Sequence, residues 1–211
     1  MNYLEETYYY DHQSADIKNM IQEFDNEELT QKEKAVGLYL KVRDGWRYDP
    51  YHIRLKKEAY KASALVKRNS GHCLDKSIIL IAGLRGLGIP ARIHLAKVKN
   101  HIGVERLIEK IGTNELTPHG MINVFLNGKW LKASPAFNKE LCEKCNVAPL
   151  EFNGEEDSMF QEFDNEGGTF MEYLEDYGHF EDVPYDFILN NIKEHYGEIY
   201  NKYEGLKEIR L

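Results

Sequence analysis

The stretch GHCLDKSIILIAGLRGLGIPAR, residues 71–92, decides the fold. Gly71 can take the irregular backbone that opens a helix, and the run from Ile78 to Leu84 is apolar on every side. A helix with no polar face is buried. This one is too short for a bilayer, which needs roughly 20 apolar residues, so it reads as the central helix of a core. Gly88 and then Pro90 end it, because glycine accepts a left-handed cap and proline cannot continue the hydrogen-bond ladder. Cys73 therefore stands in the first turn, where unpaired N–H groups and the positive end of the helix dipole favour a thiolate. A packed, inert thiol is the plain alternative, since free cysteine is among the most buried residue types.

Working outward on the N-terminal side, Ile17, Met20, Ile21 and Phe24 recur at helical spacing after Ser14. Thr30 and Glu33 form a capping box for a second helix to Arg43, with Ala35, Val36, Leu38, Tyr39 and Val42 facing inward. Glu58 to Lys67 gives a weaker helical pattern, and Trp46 reads as a core anchor. On the C-terminal side, Arg92 to Val98 alternates like a strand. Lys99 to Thr117 is ambiguous, because Gly103 and Gly112 interrupt a possible short helix.

The segment His119 to Asn138, HGMINVFLNGKWLKASPAFN, carries the second signal. Asn127-Gly128 between apolar runs calls for a two-residue type I′ hairpin turn. That register puts Phe125 opposite Trp130, Val124 opposite Leu131 and Met121 opposite Ser134. Ser134 is then a diagonal neighbour of His119, about 7 to 8 Å away between backbones.

These residues resemble the transglutaminase-like superfamily of papain-like cysteine enzymes. The likeness rests on Gly71, Cys73, Asp75, Gly88, Ile89, Pro90, Ala91, Arg92, His119 and Trp130. It covers roughly residues 32–138, with a looser likeness of the tail to some bacterial members. It implies an α+β, papain-like fold in which N-terminal helices and the buried cysteine helix pack on an antiparallel sheet presenting the histidine. It also implies a Cys-His-Asp triad, with Cys73 as nucleophile, His119 as general base and the N–H of Cys73 as an oxyanion donor. The third position departs from the pattern, since Ser134-Pro135 stands where the family writes Asp-Pro or Asp-Ala. Losing that charge costs about 10⁴ in rate in the serine-protease template, while cysteine enzymes tolerate a neutral orienting group. Asn138, four residues on, is a candidate neutral substitute and Asp157 a more distant one.

The formal charge of −8 argues against a nucleic-acid surface. From Lys41 to Asn100 there are fourteen Lys/Arg against four Asp/Glu, and from Glu151 to Asp186 thirteen Asp/Glu and no Lys or Arg. That asymmetry fits either an acidic C-terminal part docked on a basic middle part or two separately solvated faces. Nine aromatics between Phe152 and Phe187 argue against disorder there. Tyr185 to Tyr196 reads as a helix after Pro184. The tail is expected to complete the core, with walling of a substrate groove as the alternative.

Three cysteines do not make a disulfide framework, and the first residues show no leader or membrane anchor, so a cytoplasmic protein without membrane attachment is expected. Cys142 and Cys145 have half-site spacing for zinc, with no second pair to complete it, and read as helix-edge residues. His72 points about 100° away from its neighbour Cys73 and makes a poor base. His12, His52, His94, His101, His179 and His195 have no supporting pattern. No metal or organic cofactor is implied. The expectation is one domain over 1–211, with a core at about 30–138 and an acidic, aromatic-rich extension at about 150–211. It would perform thiol-dependent acyl chemistry on an amide of a protein or peptide, as hydrolase or acyltransferase through a thioester. The alternative is a weak or inactive relative that binds a protein or peptide.

Overall fold

The computed structural model describes residues 3–211. Its helices are α1 (Ala15–Ile21), α2 (Gln31–Gly45), α3 (Ala62–Leu65), α4 (Cys73–Gly86), α5 (Glu105–Ile111), α6 (Lys139–Lys144), α7 (Tyr185–His195) and α8 (Gly197–Tyr203). Its strands are β1 (Arg47–Tyr48), β2 (His52–Arg54), β3 (Ser70–Gly71), β4 (Ala91–Asn100), β5 (Glu115–Leu126), β6 (Lys129–Ala133), β7 (Met171–Phe180) and β8 (Glu208–Arg210). The α+β, papain-like arrangement expected from the sequence is present, with α4 lying between the N-terminal helices and a four-stranded antiparallel sheet of order β6-β5-β4-β7.

Every residue of α4 from Cys73 to Arg85 is buried. Its two cations, Lys76 and Arg85, are held by partners, as buried charge requires. Lys76 points its three N–H donors at the carbonyls of Arg43, Trp46 and Ala136, at 2.7 to 2.9 Å. Arg85 donates to the carbonyls of Glu5, Ala91 and Glu181 and stacks on Tyr10. The helix ends as its sequence demands. Gly88 has a φ of +74°, its N–H bonds to the Arg85 carbonyl and that of Ile89 to the Leu84 carbonyl, the paired bonds of a Schellman cap. The capping box of Thr30 and Glu33 forms as read. Glu58 to Lys67 is not one helix. An extended Lys61 separates a 3₁₀ turn at Lys57–Tyr60 from the single turn of α3.

The β5–β6 hairpin keeps the expected register from Leu126 opposite Lys129 to Ile122 opposite Ala133, with Asn127 and Gly128 both at positive φ. It stops one pair short of Ser134. There the chain leaves β5, because the Ser134 N–H bonds instead to the carbonyl of Ser158, at 2.9 Å. Met121 and Ser134 consequently do not pair.

The acidic tail lies against the middle of the chain, the docked one of the two arrangements that the charge asymmetry left open. Strand β7 pairs antiparallel with β4, and Asp176 reaches His94 at 2.7 Å while Glu172 reaches His101 at 2.9 Å. Arg43 holds Glu151 at 2.8 Å and Lys32 holds Glu155 at 2.7 Å. Beyond β7 the chain returns across the molecule, so that β8 pairs with β2. Among the described residues, no helix is long and apolar enough to cross a membrane.

Candidate functional site

The opening of α4 is built from side chains that fix one another. His72 occupies the N-cap, its Nδ1 accepts the N–H of Leu74 at 3.1 Å, and Asp75 reaches back to the His72 N–H at 3.3 Å. Because Nδ1 accepts, the ring proton of neutral His72 sits on Nε2. That ring is committed to capping, which agrees with excluding it as the base. Asp75, 1 % exposed, pairs with Arg54 at 3.3 Å, and Arg54 also binds Glu208 on β8 at 2.9 Å. The aspartate of the G-x-C-x-D motif thus ties the cysteine helix to the end of the chain.

Cys73 is buried, and its Sγ accepts the N–H of Gly120 at 3.4 Å. Strand β5 can come this close only because residue 120 is a glycine. A Cβ there would lie 2.7 Å from Leu74 Cδ2 and 3.0 Å from its Cα. Sequence reasoning passed over Gly120, although a residue without a side chain directly after the candidate base was visible. Burial pushes the Cys73 thiol up to about 11, outweighing the N–H groups of Gly120, Leu74 and Cys73 itself, which pull the other way. The low-pKa thiolate expected from the helix position is therefore not the resting state.

His119 lines the same pocket as Cys73 and is 2 % exposed. Burial, helped by nearby His72, pushes its imidazole down to about 4, so it rests neutral. Neither of its ring nitrogens has a hydrogen-bond partner in the protein, though both are buried. The candidate orienting groups are consequently not in contact with it. Ser134 and His119 both border a cavity of ≈ 10 Å³, also lined by Phe137, Phe160 and Gln161. That is about the room for one water. Asn138 is turned away, its Oδ1 accepting the N–H of Tyr48 at 3.0 Å. Asp157 is exposed at the sheet edge and accepts the N–H of Lys132.

The pocket beside Cys73 has a volume of ≈ 80 Å³. Ile192 and Tyr196 from α7 and its cap, Ile199 from α8, and Ile209 and Leu211 at the chain end form one wall. The expectation that the tail only completes the core is thus too narrow, because it also walls the groove. The apolar stripe of α7 was legible, but what it packs against was not, because contact with β5, 74 residues away between Thr117 and Asn191, leaves no local pattern. Cys142 and Cys145 lie on or just after α6 and line a second cavity of ≈ 150 Å³.

Comparison with known proteins agrees with this geometry. Residues 18–135, more than half of the chain and including Cys73, His119 and Ser134, match the model of the transglutaminase-like superfamily. A crystal structure of a provisionally assigned cysteine protease from Cytophaga hutchinsonii superposes with a TM-score of 0.53 at 13 % identity, over 88 % of this chain and 48 % of that one. The likeness is one of fold, and the chain spans about half the length of that structure. No curated protein matches the sequence. The chain belongs to the transglutaminase-like superfamily.

Proposed function

We propose that the protein is a thiol-dependent acyl-transfer enzyme acting on amides of proteins or peptides, with Cys73 as nucleophile and His119 as general base and acid. The observation that carries this reading is the meeting of Cys73, at the opening of a buried helix, with His119 in one pocket. The thiol and imidazole are both neutral at rest, so thiol deprotonation accompanies attack. The Cys73 proton passes to His119 as the sulfur–carbon bond forms, and the carbonyl becomes an oxyanion facing the N–H groups at the start of α4. The carbon–nitrogen bond then breaks, and His119 returns the proton to the leaving amine or ammonia. Water releases the acyl group as an acid, whereas a second amine releases it as a new amide.

Contact between the two groups would stabilise thiolate and imidazolium together. The unbonded His119 nitrogens leave room for that ring movement, and the cavity shared with Ser134 gives a neutral route to orienting it. The competing reading, a binding module without catalysis, is favoured by the same unbonded ring. Mixing the protein with p-nitrophenyl acetate and mapping the adduct by mass spectrometry separates the two. An acetyl thioester on Cys73, absent in Cys73→Ala, is the expected result. Release of p-nitrophenolate at equal rates from both proteins would refute the proposal.

A further inference from the structure

The pocket at Cys73 is built jointly by residues of the matched core and by chain outside 18–135, from Ile192 to Leu211. None of the residues lining it is Lys, Arg, Asp or Glu. Burial pushes both of its histidines down, which keeps them neutral near pH 7. Two of the hydroxyls in its wall, those of Tyr196 and Thr117, are already committed. Tyr196 donates to the carbonyl of Glu115 and accepts the N–H of Thr117, each at 2.9 Å. Thr117 Oγ1 donates to Asn191 at 2.8 Å and meets the Tyr177 hydroxyl at 3.0 Å. A charged group entering here would leave water and meet no side chain of opposite charge, which is unfavourable.

Apart from Tyr48 and Cys73 the remaining lining is aliphatic, including Ile53, Leu107, Leu116, Ile192, Ile199 and Leu211. The second cavity shares Tyr48, Pro50, Leu107 and Leu116 with this pocket and continues to Phe137 and Phe170. The two cavities therefore adjoin at these four residues, the first of them beginning at the thiol.

We infer that the group attached to the carbonyl attacked by Cys73 is an uncharged apolar chain, which runs from the thiol past Tyr48 toward the second cavity. This rests on Cys73 being the nucleophile. The same chemistry is offered by the aliphatic or aromatic side chain of a peptide and by a medium-length fatty acyl group. Each methylene moved from water into such a groove favours binding about fourfold.

The test is a series of p-nitrophenyl esters from acetate to octanoate, with succinate as the charged comparator, followed through acylation of Cys73 by mass spectrometry. Peptide p-nitroanilides carrying norleucine, glutamine or glutamate before the scissile bond form the second arm. Iodoacetamide labelling of Cys73 runs in parallel. The expected result is a rate that climbs about fourfold per methylene until the groove is filled, with the succinyl ester at least tenfold slower than the butyryl ester. Norleucine preferred over glutamine identifies a peptide side chain as the source. A steep ester series without peptide discrimination identifies an acyl chain, and also supports the inference. In Ile199→Glu the dependence on chain length should flatten. A flat ester series, or succinyl equal to butyryl, while iodoacetamide still labels Cys73, overturns the apolar groove and leaves the nucleophile standing. Failure of every reagent at Cys73 overturns both.

Discussion

The two halves of the candidate dyad are held in opposite ways. At the opening of α4, the polar groups of His72, Asp75 and Arg54 interlock, and Cys73 Sγ is seated on the Gly120 N–H. Across the pocket, His119 is just as buried but its ring is bonded to nothing. The cysteine side is therefore preorganised and the histidine side is not. Ser134, just past the hairpin, is drawn off it by Ser158.

The largest effect should come from breaking the rigid side. Arg54→Met leaves Asp75 buried without its cation, at a cost of about 3–5 kcal/mol. The measurement is the urea unfolding midpoint. A loss under about 1 kcal/mol would mean that the ion pair does not hold the opening of α4.

The loose side is probed by acid. His119 has a folded pKa of about 4 against an ordinary value of 6.5. Between those values the unfolded chain binds the additional proton, so stability is lost as pH falls from about 6.5 to about 4, by about 3 kcal/mol in all. In His119→Gln that slope should shrink, and an identical pH profile for the two proteins would contradict the assignment.

The smallest effect sharpens the contrast by repairing the base. In Ser134→Asp a carboxylate beside the imidazole should raise its pKa by about one unit or more. The acid limb of the acylation rate should move up with it. An unmoved limb would show that position 134 does not address His119.

How far the sequence was legible follows the range of the signals. The cap at Gly88, the box at Thr30 and Glu33 and the turn at Asn127-Gly128 are local chemistry, and all three appear as read. Cys73 and His119 were legible as residue types in a family pattern, and the structure brings them to one pocket. What was not legible depends on distant chain. Ser158 capturing Ser134, Tyr48 capturing Asn138 and the α7–α8 wall each join segments far apart in sequence. The raised thiol pKa belongs to the same class, since the helix position predicts a lowered one and only the surrounding burial reverses it.

The most direct test of the central claim is the acylation rate of Cys73 by p-nitrophenyl acetate at pH 7 in wild type and in His119→Ala, with both folds checked by circular dichroism. If His119 takes the thiol proton, the variant should be slower by about 10²-fold or more. Equal rates would show that His119 takes no part, and the proposed dyad would fall.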